Sequence, residues 1–401
     1  MAIAALLLTA SVNAQQLMPP APEQPLVAPV MRPAAPDTSP LATDFQNFPT
    51  GELVTAGEFK LRPHLSTSYL HADGLPTQSG ARVASNIFTF APGLAADLGS
   101  HWSADYTASW MNYSSDQLEK STSQFARLVG ANKSPELDLQ LTESYSKTTN
   151  FLLETAKQTK QTSWANGLSA DHNFGNVMHY HGTVSMTATD TQNLTSTRDW
   201  ETQHWFRGAI SPKVDAGLGL GFGYNDIPAQ PNTYFLSYLG SIGWRPTDKI
   251  QLSLDGGWQN WHLLSTVEKN QWYPVLDATL AWLPFDQTKI SITESRTVTT
   301  SFSADSVTDS NSWGVSLGQR LLGKLLLNLA YNQISTKYVA GVGSTLAGRS
   351  DDVKMFRSSL AVQLYKYWSL AATYQSSKNS SNDAFYRYNA TQYGLELSAS
   401  F

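Results

Sequence analysis

The sequence of 401 residues predicts an all-β fold: a transmembrane antiparallel up-and-down barrel of about 18 strands, preceded by a disordered proline-rich arm. Three observations predict it. From Glu58 onward, stretches of about ten residues carry apolar side chains at every second position, the period that sends alternate residues to opposite faces of a strand. The clearest apolar faces begin and end with aromatics, as lipid-facing strands do where amphipathic rings meet the headgroup layers. The breaks between stretches alternate short and long, matching tight hairpin turns at one end of such a barrel and longer loops at the other.

Composition removes other classes. The chain has no Cys, 12 Trp, 17 Tyr and 16 Phe, and 27 Lys and Arg against 32 Asp and Glu for a net charge of −5. Without cysteine there is no disulfide framework, thiolate nucleophile or Cys-based zinc site. Without a basic excess there is no footprint for nucleic acid. The aromatics are too numerous for a chain disordered throughout.

Taken in order, residues 2–9 form a short apolar run, and Val12 and Ala14 place small residues where a secretory cleavage after Ala14 needs them. Residues 1–14 are therefore expected to be a signal peptide, the run being far shorter than the ~20 residues of a spanning helix. Residues 15–57 are expected to be a periplasmic linker. Nine of the chain's 19 prolines fall there, and proline favours extended, solvated backbone over a packed core. Residues 58–401 form the expected outer-membrane barrel.

Within the barrel, span 233–244 places Tyr234, Leu236, Tyr238, Ile242 and Trp244 on one face, and span 270–282 does the same with Trp272, Leu276, Leu280 and Trp282. Span 214–224 alternates Ala216, Leu218, Leu220, Phe222 and Tyr224 with Gly217, Gly219, Gly221 and Gly223. Bare glycine leaves room on that second face for curvature or for bulky inward groups. Arg127 and Arg207 interrupt the fourth and eighth spans, 122–131 and 198–210, so 16 strands is the alternative count. An even count puts both ends of the barrel on one side, expected to be the periplasm. The final stretch aligns Tyr393, Leu395, Leu397, Ala399 and Phe401 on one face, the pattern expected of an insertion signal read by barrel-assembly machinery.

The polar faces, assigned inward, supply lumen-lining candidates: Asp97, Asp105, Asp138, Asp171, Asp215, Asp255, Asp277 and Glu396 against Lys60, Arg62, Arg207, Lys289, Arg320 and Arg357. Eight acids against six bases imply at most a weak preference for cations. The longer breaks at 72–85 and 336–352 are the candidate constrictions. His179 and His181 share a face at a spacing that can hold a metal on a strand. With no third ligand placed, they read as wetted histidines, and no metal or cofactor is expected. No nucleophile elbow, phosphate loop or paired carboxylate motif is present, so no enzyme is indicated.

Several short stretches resemble the β-barrel porin 2 family. Arg62-Pro63-His64-Leu65, Asn86-Ile87-Phe88 and Ala91-Pro92-Gly93-Leu94, followed by 102–113, are similar to that family's opening strands. Leu370 to Tyr374 with Ser376-Ser377, and Tyr388-Asn389 to Phe401, are similar to its last hairpin. The resemblance implies an outer-membrane barrel, in some members linked to exopolysaccharide export, and carries over no catalytic residues. The expected function is a porin-like channel for small hydrophilic solutes or saccharides in the outer-membrane lipid. The alternative is an exopolysaccharide-associated barrel acting as an export passage or scaffold.

Overall fold

The computed structural model describes residues 54–56, 59–77, 81–134, 136–152, 157–175, 177–192, 194–228, 232–263, 270–300, 306–340 and 348–401. The expected signal peptide and nearly all of the expected linker lie outside the described residues. The strands are β1 (Val54–Ala56), β2 (Phe59–Pro76), β3 (Arg82–Leu98), β4 (Trp102–Tyr113), β5 (Ser121–Lys133), β6 (Leu137–Leu152), β7 (Lys157–Phe174), β8 (Met178–Thr191), β9 (Thr197–Ser211) and β10 (Val214–Asp226). They continue with β11 (Thr233–Thr247), β12 (Ile250–Leu263), β13 (Gln271–Phe285), β14 (Thr288–Thr300), β15 (Ser306–Leu321), β16 (Leu325–Ala340), β17 (Ser350–Tyr365), β18 (Trp368–Ser381) and β19 (Tyr388–Ser400).

Each strand from β2 to β19 pairs antiparallel with the next, and β19 pairs back onto β2 through Leu395↔Tyr69 and Leu397↔Thr67. The result is a closed barrel of 18 strands, which decides against 16. The spans interrupted by Arg127 and Arg207 are the full strands β5 and β9. Where β19 runs out at Ser400↔His64, β1 takes over the same edge of β2 through Val54↔Leu61. The sheet thus reaches into the last residues of the expected linker.

At the short-turn end, strand boundaries fall within about three residues of the sequence reading. Turn chemistry explains the precision: Leu322 and Gly323 both have positive φ (50° and 70°), the backbone of a two-residue hairpin whose twist matches its strands. At the long-loop end the strands run further than the alternation shows. β15 starts at Ser306 and β16 reaches Ala340, whereas the apolar alternation is legible only from about 310 and as far as about 335. Beyond the lipid the ladder continues while the apolar alternation that marks it fades.

Nine of the 12 tryptophans are exposed on the outer face. They bracket its aliphatic residues as Trp272 and Trp282 bracket Leu276 and Leu280 on β13. Large exposed apolar residues cover the rest of this face, among them Leu218 (74%) and Leu220 (60%), an arrangement that needs acyl chains in place of water. Among the described residues no helix is long and apolar enough to cross a membrane; the strands do so.

Inside, β10 turns its glycines toward bulky neighbours. A Cβ at Gly219 would stand 2.7 Å from the Trp205 ring, and one at Gly217 2.5 Å from Cγ of Arg207. The room left by this strand is therefore filled from the strand beside it. We expect Gly219→Val to lower barrel stability by about 1–3 kcal/mol through overpacking. Gly167→Ala, where a Cβ meets nothing within 4 Å, should stay within about 0.5 kcal/mol of wild type. Urea unfolding in detergent micelles measures both.

Candidate functional site

The inner face carries all 14 charged positions singled out from the sequence, because each alternates with outward apolar residues on its strand. They do not form one ring. Arg62 pairs with Asp97 at 2.7 Å, and Asp105 stands opposite Arg127. Asp138 stands opposite Asp171, and Glu396 accepts from the Ser66 hydroxyl at 3.0 Å while almost fully buried. These residues, with Arg320 and Arg357, line walls away from the main cavity.

That cavity, about 740 Å³, runs along the wall formed by β8 to β14. Its lining extends from Gly175, Val177 and Arg245 at the short-turn end to Asn225 and Thr299 at the long-loop end. Here the structure brings together Arg207, Asp215, Asp255 and Asp277, with Lys289 below them and Asp199 and Glu201 above.

Cross-strand register explains the grouping. Arg207, Gly217, Ser241, Asp255 and Asp277 form one continuous row across five strands. With strands ~4.8 Å apart, arginine can reach Asp255 only if the intervening side chains are small, and Gly217 and Ser241 are. The guanidinium lies in this trough, 4.6 Å from the Trp205 ring centroid, with Nη2 3.9 Å from Oδ1 of Asp255. Arg207 itself is only 4% exposed, so the row fixes a buried cation on the cavity wall, flanked by carboxylates.

His179 lines the same cavity, whereas His181, next on that face, is tied through Nδ1 to Asp171 at 2.7 Å. Among the described residues no group of three His, Cys, Asp or Glu gathers around a common point.

The two stretches expected to constrict the lumen, 72–85 and 336–352, are described only in part. In 72–85 the chain runs as strand to Pro76 and again from Arg82, with Thr77 N–H donating to Ala81 C=O at 2.9 Å. The 78–80 tip lies outside the described residues. In 336–352, Arg349 is held against its own wall between the Tyr338 and Tyr386 rings, 4.5 and 3.3 Å from their centroids. Residues 341–347 lie outside the described residues.

The segment that turns inward among the described residues is the β14–β15 hairpin. The β13–β14 ladder stops at Leu276↔Arg296, two residues short of Pro274, which has no N–H to extend it. Beyond this point Val298 and Val307, which on a straight wall would face outward, pack instead in one buried cluster with the inward rings of Phe235, Trp261 and Tyr273. Arg296 clamps the two legs together, donating to both carboxylate oxygens of Asp309 at 3.1 and 2.8 Å. Residues Thr297 to Thr300 thereby roof the cavity.

The sequence reading missed this roof and its aromatic seat. Phe235 and Tyr273 are apolar residues on the otherwise more polar faces of their spans, and that irregularity was the available signal.

No family model and no curated protein matches the chain, so the resemblance to the β-barrel porin 2 family gains no support from these comparisons. Among solved structures the chain is similar to Pseudomonas aeruginosa OpdL, with 12% identity, a TM-score of 0.47 and coverage of 86% of this chain and 99% of that one. It is similar to OccK2 (OpdF) of the same organism, solved in complex with glucuronate, at 11% identity and a TM-score of 0.48 over 85% and 98% of the two chains. The siderophore receptor PirA of P. aeruginosa is similar at 10% identity and a TM-score of 0.45 over 85% and 80%. Function is read from this chain's own residues.

If the hairpin roofs the cavity, releasing it should widen the path. We expect Val298→Asp with Val307→Asp to raise single-channel conductance in planar bilayers, since two carboxylates cannot stay among Phe235, Trp261 and Tyr273 without large desolvation cost. Unchanged conductance would remove the hairpin from the path.

Proposed function

We propose that the chain is an outer-membrane channel for passive passage of small hydrophilic solutes or saccharides. The observation that carries this reading is the charged cavity running along β8 to β14 inside a closed barrel whose outer face is apolar. A barrel of this strand number has room for an aqueous path, and inward-pointing hairpins then set its width. Charged side chains are tolerated there because water fills the space, whereas lipid would penalise them.

The short turns face the periplasm in this reading, so β2 begins and β19 ends there. The outward Tyr393, Leu395, Leu397 and Phe401 form the surface offered to the barrel-insertion machinery. Phe401 packs near Tyr367 and Trp368, with ring centroids 5.5 and 6.3 Å away, in the turn-side aromatic belt.

Selectivity follows from the lining. Asp199, Glu201, Asp215, Asp255 and Asp277 line the cavity together with Arg207, Arg245, Lys289 and Arg296, a near balance that gives a slight preference for cations. Proteoliposomes should swell in small sugars at rates that fall with sugar size. Failure to swell in any of them would exclude an open passage. Reversal potentials in asymmetric KCl should show weak cation selectivity that rises in Arg207→Gln, because that change removes the buried cation and leaves Asp255 and Asp277 in place.

A further inference from the structure

Between the two aromatic belts, the described residues on the outer face of β5 to β8 place a carboxylate and an amide side by side. Glu143 on β6 and Asn166 on β7 are direct cross-strand partners, and both side chains are exposed outward. Their depth can be read from register. The row Ala104, Leu128, Glu143, Asn166, Met186, Trp200 crosses six strands. It starts two residues above Trp102 in the turn-side aromatic belt and ends at Trp200 in the loop-side belt. Trp102 to Trp110 on β4 spans eight residues, roughly 20 Å of height at the usual rise and tilt. Glu143 therefore sits on the order of 10 Å from either belt, among Leu139, Leu141, Leu128 and Leu168.

Among the described residues no hydrogen bond or ion pair reaches the Glu143 carboxylate. The other outward carboxylate within the lipid-facing band, Glu294, is placed differently: it stands opposite Trp313 and one outward position from the Arg296–Asp309 pair. Glu143 has Asn166 as its one polar neighbour on this face.

We infer that this face of β5 to β8 is an intramembrane interface with a second copy of the chain. A polar group facing hydrocarbon is retained where a partner satisfies it, and this pair is self-complementary. Glu143 accepts and the Asn166 amide donates, so a two-fold axis between them lets each copy's carboxylate receive the other's amide. That reciprocity is what an isologous dimer requires. The surroundings permit close approach. Ala104, Ala108 and Ala126 are small outward residues on β4 and β5, and the Trp102 ring lies flat over Gly130, where a Cβ would come within 2.6 Å of it. Small side chains let backbones approach and pack in lipid, with Leu139, Leu141 and Leu168 closing around the polar centre.

The chain has no cysteine, so one introduced thiol reports without background. Leu141→Cys, beside the axis, should form a disulfide-linked dimer on mild oxidation in membranes. Leu360→Cys, exposed on the distant β17, should not. Adding Glu143→Leu and Asn166→Leu to the Leu141→Cys chain should cut the dimer more than tenfold while heat-modifiable migration shows an intact barrel. Native mass spectrometry from nanodiscs should find the wild type dimeric and the double-leucine variant monomeric. No dimer from Leu141→Cys, equal linking at Leu360→Cys, or a dimer that survives both leucines would each overturn the interface. A monomeric wild type that still conducts would remove this dimer and leave the channel intact.

Discussion

Everything in this molecule depends on closing a sheet in hydrocarbon. A backbone N–H or C=O left unpaired there costs several kcal/mol, so a strand can cross only with a neighbour on both sides. The β19–β2 ladder meets that need for the barrel, and β1 extends it where β19 stops short along β2. With the backbone accounted for in this way, side chains are sorted by the solvent on each face. The period-two alternation is the record of that sorting.

The inner face obeys a second constraint, because side chains converge on the concave side of a barrel. Bulk on one strand has to be matched by absence on the next. Trp205 and Arg207 on β9 lie over Gly219 and Gly217 of β10, and Phe235 of β11 lies over Gly223. This matching of large and small residues moves a cation sideways along the wall to its carboxylate and leaves the cavity beside β8 to β14 with a defined charged row. The same economy of space seats the β14–β15 hairpin, whose valines meet rings that would otherwise be apolar surface facing water.

The strands and the side facing lipid were legible in the sequence because both are local properties. A ten-residue window such as 214–224 contains its own faces, and turns such as Leu322-Gly323 contain their own backbone preference. Arg127 and Arg207 kept 16 strands open as the alternative for an equally local reason. An inward arginine looks like a break when only its own strand is considered, and Gly217 and Ser241, which accommodate Arg207, lie 10 and 34 residues along. The grouping of Asp215, Asp255 and Asp277 with Arg207 needed the register of five strands at once. The roof was hidden because a polar tract near 300–309 reads like any external loop. Its inward turn comes from an interrupted ladder next to Pro274 and from aromatics on three other strands.

The account rests on the outer face meeting acyl chains while the inner face does not. Its most direct test uses tryptophan fluorescence in bilayers of brominated lipids, comparing a chain that keeps Trp258 and Trp272, both outward and 54% exposed, with one that keeps the buried inward Trp205 and Trp261. The outward pair should be strongly quenched, and more so by bromine near the headgroups than at the bilayer centre. The inward pair should keep nearly all its emission. Equal quenching of the two pairs, or none of either, would contradict a barrel that turns this face to lipid.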